Sequence, residues 1–145
     1  MPPAPWGADH TAGYAVAANI LKVGGDVDAL RPEGQVELSR DLQIATAALD
    51  ATGMCLFAAM AAFDQPETFQ ALIDMINACL GVEMRPEDIT EMGKKILESE
   101  IDFNRRAGLI SNHDRLPRFF KRERLSPHNV VFDISDKELD EVLNF

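Results

Sequence analysis

The stretch Asp50-Ala51-Thr52-Gly53-Met54-Cys55 decides how the chain folds, because it closes one helical pattern and opens another. Before it, Val36, Leu38, Leu42, Ile44, Ala45, Ala48 and Leu49 recur at helical spacing. After it, Leu56 to Phe63 runs apolar without a charge. The hexapeptide is therefore a joint between helices. Gly53 supplies the positive φ that commonly ends a helix, so the chain turns sharply there and brings a carboxylate, Asp50, and a soft thiol, Cys55, to one corner. Two readings stay open for this pair. Asp50 can solvate a helix end while Cys55 acts as a small apolar filler. Alternatively, the carboxylate accepts paired N–H bonds from a guanidine-like edge and the thiolate binds a metal cluster.

Working outward, the central pattern is preceded by a loop, Asp26 to Gly34, with Pro32, Gly34 and the charges Asp26, Asp28, Arg31 and Glu33. Upstream of it, Thr11 is placed to cap a short amphipathic helix through about Val23, stopped by Gly24-Gly25. Met1 to Trp6 is proline-rich, has no helical or strand pattern and reads as a cut edge.

Downstream, Asp64-Gln65-Pro66-Glu67 opens a helix that runs to Gly81, and Arg85-Pro86-Glu87-Asp88 opens a second, longer one that holds its period through Phe103 toward Gly108. Ser111 to Pro127 is polar and basic. Arg115, Arg118, Lys121, Arg122 and Arg124, together with Arg105 and Arg106, make half of the 14 Lys and Arg. Such a patch either pairs with the chain's own acids or docks an acidic partner. Val130 to Asp133 looks extended, and Ser135-Asp136-Lys137-Glu138 is a capping-box pattern opening a terminal helix through Leu143. The expectation is an all-α chain: one compact domain over residues 1–145, about five to seven helices, and at most a short extended segment near the C-terminus.

Charge and cysteine count narrow the function. A formal charge of −10 disfavours nucleic acid and anionic membrane as partners, since phosphates would repel most of the surface. No uncharged apolar run reaches the ~20 residues of a membrane span, and no signal peptide is recognisable, so a soluble cytoplasmic protein is expected. There are two cysteines. A four-iron cluster normally takes four thiolates, so the chain cannot hold one alone. Cys79 shares a helical face with Leu72, Met75 and Ile76, which predicts a buried structural thiol. His113 and His128 sit in polar loop sequence without a paired ligand at helical spacing.

Four segments together resemble the carboxy-terminal part of the tungsten-containing aldehyde:ferredoxin oxidoreductase family. They are Gly7-Ala8-Asp9-His10-Thr11-Ala12-Gly13-Tyr14, Asp50 to Cys55, Phe103-Asn104-Arg105-Arg106-Ala107-Gly108, and Leu116-Pro117-Arg118-Phe119. The resemblance covers nearly the whole chain. It implies oxidation of aldehydes to carboxylic acids with ferredoxin as acceptor, at a tungsten (or molybdenum) bis-pterin beside a 4Fe-4S cluster. Asp50 would accept hydrogen bonds from a pterin, with Gly53 and Met54 in the same cofactor-binding loop. Met54 stands where the family often has leucine, a volume-conserving change. Cys55 would be the fourth cluster thiolate, and His10 the proton-transferring residue near the metal.

The family's three closely spaced cluster cysteines and its amino-terminal pterin-covering domain have no counterpart in these 145 residues. The resemblance therefore implies a fragment, a split subunit or an orphaned truncated product. The complementary amino-terminal portion and ferredoxin would be its partners, a homo-oligomer is compatible with it, and the isolated chain is expected to be inactive and to hold no cofactor alone. The competing expectation is a non-catalytic helical interaction module that keeps the family fold and uses the basic segment to hold a protein partner.

Overall fold

A computed structural model describes residues 12–23, 25–59, 65–109 and 115–144. Helix α1, Gln35–Ala51, is the axis of the fold. Its buried residues, Leu38, Ser39, Gln43, Ile44, Thr46, Ala48 and Leu49, do not lie on a single stripe, so neighbours cover it on more than one side. Helix α2 spans Pro66–Leu80 and α3 spans Pro86–Arg106. Each begins with proline at its first turn and acids beside it: Glu67 in α2, Glu87 and Asp88 in α3. Proline's missing N–H costs nothing there, and the acids meet the positive end of the helix dipole. The backbone N–H of Arg85 donates to Asp88 Oδ2 at 2.8 Å, which fixes the start of α3. Between α2 and α3, Asn77 clamps the turn with both amide atoms: Nδ2 donates to the Met84 carbonyl at 3.0 Å, and Oδ1 accepts from the Met84 N–H at 2.8 Å.

The contact between α1 and α3 is unusually close at one point. A Cβ built on Gly93 would stand 2.2 Å from the Ile44 carbonyl oxygen, so only glycine lets these backbones approach as they do. Around that crossing, Ala48, Ile73 and Ile89 form a buried cluster packed by Phe69, Ile76, Met84 and Met92. A second cluster, Leu49, Ala59 and Leu72, lies toward the C-terminal end of α1 and is packed by Met54, Leu56 and Ile76.

The final helix, α4 (Asp136–Glu141), carries the capping box expected from the sequence: Ser135 Oγ accepts from the Glu138 N–H at 3.2 Å, and Glu138 Oε2 accepts from the Ser135 N–H at 2.9 Å. Arg40 of α1 holds the other end of α4. Its Nε donates to the Val142 carbonyl at 2.7 Å and its Nη2 to the Glu141 carbonyl at 2.6 Å. Leu139 and Val142 are buried.

The all-α expectation holds. Among the described residues there is no strand, only one isolated antiparallel bridge between Leu125 and Val130 where an extended segment was expected. Two local expectations need correction. In place of a helix from Thr11 to Val23 there is a five-residue π-helical turn, Ala17–Leu21, ended by Lys22 at φ 59°; Thr11 lies outside the described residues. The segment is pressed onto α1 at Gly13, where a Cβ would come within 2.9 Å of Ser39 Oγ, and packing rather than helical propensity sets its path.

Cys79 is the second correction, being exposed rather than buried. Helix α2 is apolar over more than half its circumference, and the half that faces the core carries Phe69, Leu72, Ile73 and Ile76, leaving Met75 and Cys79 on the open flank. The basic segment, for its part, pairs in good measure with the chain's own acids. Arg115 meets Asp140 at 2.7 Å and Asp136 at 3.9 Å, Lys121 also bonds Asp136, and Arg106 meets Asp102 at 2.6 Å. A short 3-10 turn, Arg118–Lys121, carries part of this segment.

Candidate functional site

The joint is built from its own backbone. Helix α1 ends at Ala51, Thr52 caps it, and its N–H donates to the Leu49 carbonyl at 2.9 Å. The Thr52 hydroxyl donates to the same carbonyl at 2.7 Å and accepts from the Met54 N–H at 3.3 Å, so one side chain ties both sides of the turn. Gly53 follows at φ +75° with its N–H donating to the Asp50 carbonyl at 3.0 Å. No atom lies within 4 Å of where its Cβ would be, so glycine is required here by conformation and not by space. The Cys55 carbonyl then accepts from the Ala59 N–H at 3.0 Å, and residues 56–59 begin the next helical turn.

Asp50 and Cys55 therefore stand on either side of a single glycine turn. Both are exposed, Cys55 is a free thiol, and Asp50 has no ion pair or side-chain hydrogen bond among the described residues. Met54 between them turns inward against Leu49, Ala59 and Leu72, anchoring the loop while its neighbours face out. The position of Asp50 is chemically telling. It sits in the last turn of α1, which contains no basic residue, so its charge adds to the negative end of the helix dipole. Helix stability alone would favour a cation there.

The donor set suits the groups the resemblance implies, up to a limit. An unpartnered carboxylate is free to accept from the N–H edge of a pterin, and an accessible thiol is free to ligate iron. Cys55 would be a single ligand, since no group of three or more His, Cys, Asp or Glu able to hold a metal ion occurs among the described residues. Cys79 belongs to α2 and is exposed. His10 and His113 lie outside the described residues, and His128 is exposed.

The sequence did not announce the cleft beside the joint. An opening of about 440 Å³ runs between α1, α2 and α3, with an apolar wall that includes Ile44, Ala48, Leu49, Leu72, Ile76 and Ile89, and with Asp41, Thr52, Thr90 and Lys94 as its charged or hydroxyl groups. Thr52 of the joint is part of the same wall. Ala45, Ala48 and Ala59 give this wall small side chains, but their spacing in the sequence does not mark a cleft.

The family described as aldehyde ferredoxin oxidoreductase, domains 2 & 3, matches residues 2–144. Tungsten-containing aldehyde ferredoxin oxidoreductases are similar to the chain over most of its length. The protein of Pyrococcus horikoshii is 30% identical over 119 residues, covering 81% of this chain and 19% of the relative. That of Thermococcus kodakarensis is 31% identical over 121 residues, with the same two coverages. That of Pyrococcus abyssi is 32% identical over 116 residues, covering 77% of this chain and 18% of the relative. The chain thus spans about a fifth of the length of the curated relatives it matches.

Proposed function

The chain belongs to the aldehyde ferredoxin oxidoreductase family, and from that premise we propose that it is the carboxy-terminal helical portion of an enzyme that oxidises aldehydes to carboxylic acids and passes the electrons to ferredoxin. Asp50 is the hydrogen-bond acceptor for one pterin, and Cys55 is one of the thiolates around a 4Fe-4S cluster. The observation that carries this reading is the joint itself: an unpartnered carboxylate and a free thiol, both exposed, separated by one glycine turn.

The overall reaction converts an aldehyde and water to a carboxylic acid with release of two protons and two electrons. Bound tungsten (or molybdenum) bis-pterin and iron–sulfur groups supply the redox chemistry. This chain's own residues supply position. Asp50 orients a ring through paired N–H bonds to its two oxygens, and Cys55 holds iron through its sulfur. Thr52 and Gly53 hold those two side chains on one rigid turn, which fixes the separation of the groups they bind. His10 is assigned, by resemblance, the proton that moves as the carbonyl is hydrated. The three remaining cluster thiolates come from the complementary portion of the enzyme, so the isolated chain is inactive.

The test is anaerobic reconstitution with iron and sulfide, using this chain mixed with the amino-terminal portion of the enzyme, with bound iron counted by metal analysis and absorbance. A cluster that needs both parts, is lost or altered with Cys55→Ala and persists with Cys79→Ala is the expected result. A cluster that forms equally well with Cys55→Ala removes the assignment of the joint as a redox site.

A further inference from the structure

Helix α2 has more apolar surface than the described residues cover. Its core-facing arc is Phe69, Leu72, Ile73 and Ile76, yet Ala71, Met75, Ala78 and Cys79 follow one another at spacings of four, three and one along the adjacent flank, and all four are exposed. Met75 is 53% exposed, and just beyond the helix Val82 is 41% exposed. Glu67, Gln70, Asp74 and Asn77 fill the remaining arc, Glu67 and Asp74 bordering the flank at Ala71 and Ala78, and Thr68 is the one polar residue on the flank itself. A helix apolar over so wide an arc belongs in an interior.

This flank continues into the cleft. Leu72 and Ile76, which line the opening of about 440 Å³, are helical neighbours of Met75 and Cys79. One apolar surface therefore runs from the floor of the cleft out onto α2. We propose that this surface, the α2 flank with the adjoining cleft, is where the rest of the enzyme seats against the chain, one apolar element lying along Met75 and Cys79 and filling the cleft beside them. The occupant follows from the proportions on the page. The chain spans 19% of its relatives, so about four-fifths of such an enzyme lies outside it, while the chain's own described residues leave this face bare. The assignment rests on the reading that the chain works with a complementary portion, and it adds which face meets that portion.

Cys79 gives the face a direct chemical readout. The chain is labelled with a maleimide alone and after mixing with the amino-terminal portion, and labelling of the Cys79 and Cys55 peptides is followed separately by mass spectrometry. Cys79 should be protected by about tenfold or more on assembly. Met75→Glu should weaken assembly by about tenfold or more, corresponding to ~1.4 kcal/mol, while Gln70→Ala on the polar side leaves it unchanged. Circular dichroism should be the same for all three chains, because Met75 and Gln70 are exposed.

Assembly with Cys79 still labelled at its free rate, or undiminished by Met75→Glu, overturns this face while leaving the two-part enzyme standing. Failure to assemble at all overturns both. Protection that grows with the concentration of the chain by itself identifies a second copy as the occupant and overturns the assignment.

Discussion

Replacing Gly93 with alanine tests the closest contact in the fold. In an exposed helix interior this change stabilises by ~1 kcal/mol, because alanine restricts the unfolded chain and favours the helix. At position 93 the new methyl would stand 2.2 Å from the Ile44 carbonyl oxygen and 3.1 Å from both the Ile44 carbonyl carbon and Cγ2. The first obstacle is backbone, so no rotamer change relieves it, and α1 and α3 must part by the better part of an ångström. That opening loosens the cluster of Ala48, Ile73 and Ile89 at the crossing. Overpacking of this kind costs ~1–3 kcal/mol, and a clash with a main-chain atom belongs at the upper end. After the helix-propensity gain is subtracted, the expected net loss is ~2 kcal/mol. Urea titration followed by circular dichroism should show a lower midpoint with an unchanged slope. A Gly93→Ala chain as stable as the parent, or more stable, would refute the close approach of α1 and α3. Gly53→Ala is the useful contrast. Nothing lies within 4 Å of that position, so its loss of ~1–2 kcal/mol comes from the left-handed conformation alone, and Gly53→Asn should recover part of it.

Arg40→Ala should free α4, because the Glu141 and Val142 carbonyls lose their donor; a cost of ~1–2 kcal/mol is expected, read as faster amide exchange at Leu139 and Val142. Asp50→Asn should raise the stability of the chain slightly by removing a negative charge from the C-terminal turn of α1, and should weaken pterin retention in the assembled enzyme; a destabilised variant would mean that Asp50 has a structural partner. Acid should release α4 early. The Lys121 hydrogen bond, aided by the charges of Lys121 and Arg115, holds the Asp136 carboxyl below the ordinary carboxylate range, and hydrogen bonds from Ser135 do the same for Glu138. Groups with depressed folded values add stability above their unfolded values and lose it as pH falls through the folded ones, so α4 should loosen below about pH 4. Lys121→Met should flatten that response in a pH series of amide exchange rates, and an identical acid profile would count against the ion pair.

Local chemistry was legible wherever one residue type has one structural use. Pro66 and Pro86 with their acids marked two helix starts, Ser135 and Glu138 announced the terminal capping box, and Gly53 marked the end of α1. Fold class followed from these signals. Facing was legible only where the apolar stripe was narrow. In α2 the apolar arc is so wide that its period cannot say which half meets the core, which is why Cys79 was misplaced. Gly93 reads in sequence as a mildly unfavourable residue in a long helix, and only the position of Ile44 across the crossing gives it a purpose. The cleft was invisible for the same reason, since it is a shortfall of volume among three helices. Residue type and spacing left two readings open for Asp50 and Cys55, the resemblance singled them out, and the structure adds that neither has a side-chain partner among the described residues.

The hydrogen bonds that shape the Thr52–Gly53 turn join residues within five positions of one another: Leu49, Asp50, Thr52, Gly53 and Met54. The turn is thus set in shape before anything binds to it. Ordering a flexible residue costs ~1–2 kcal/mol of backbone entropy, and a ligand that had to organise this loop would lose several such increments from its affinity. Here that loss falls on folding, and α1 bears it, so a ligand held at Asp50 and Cys55, as proposed, would meet a receptor already stiff.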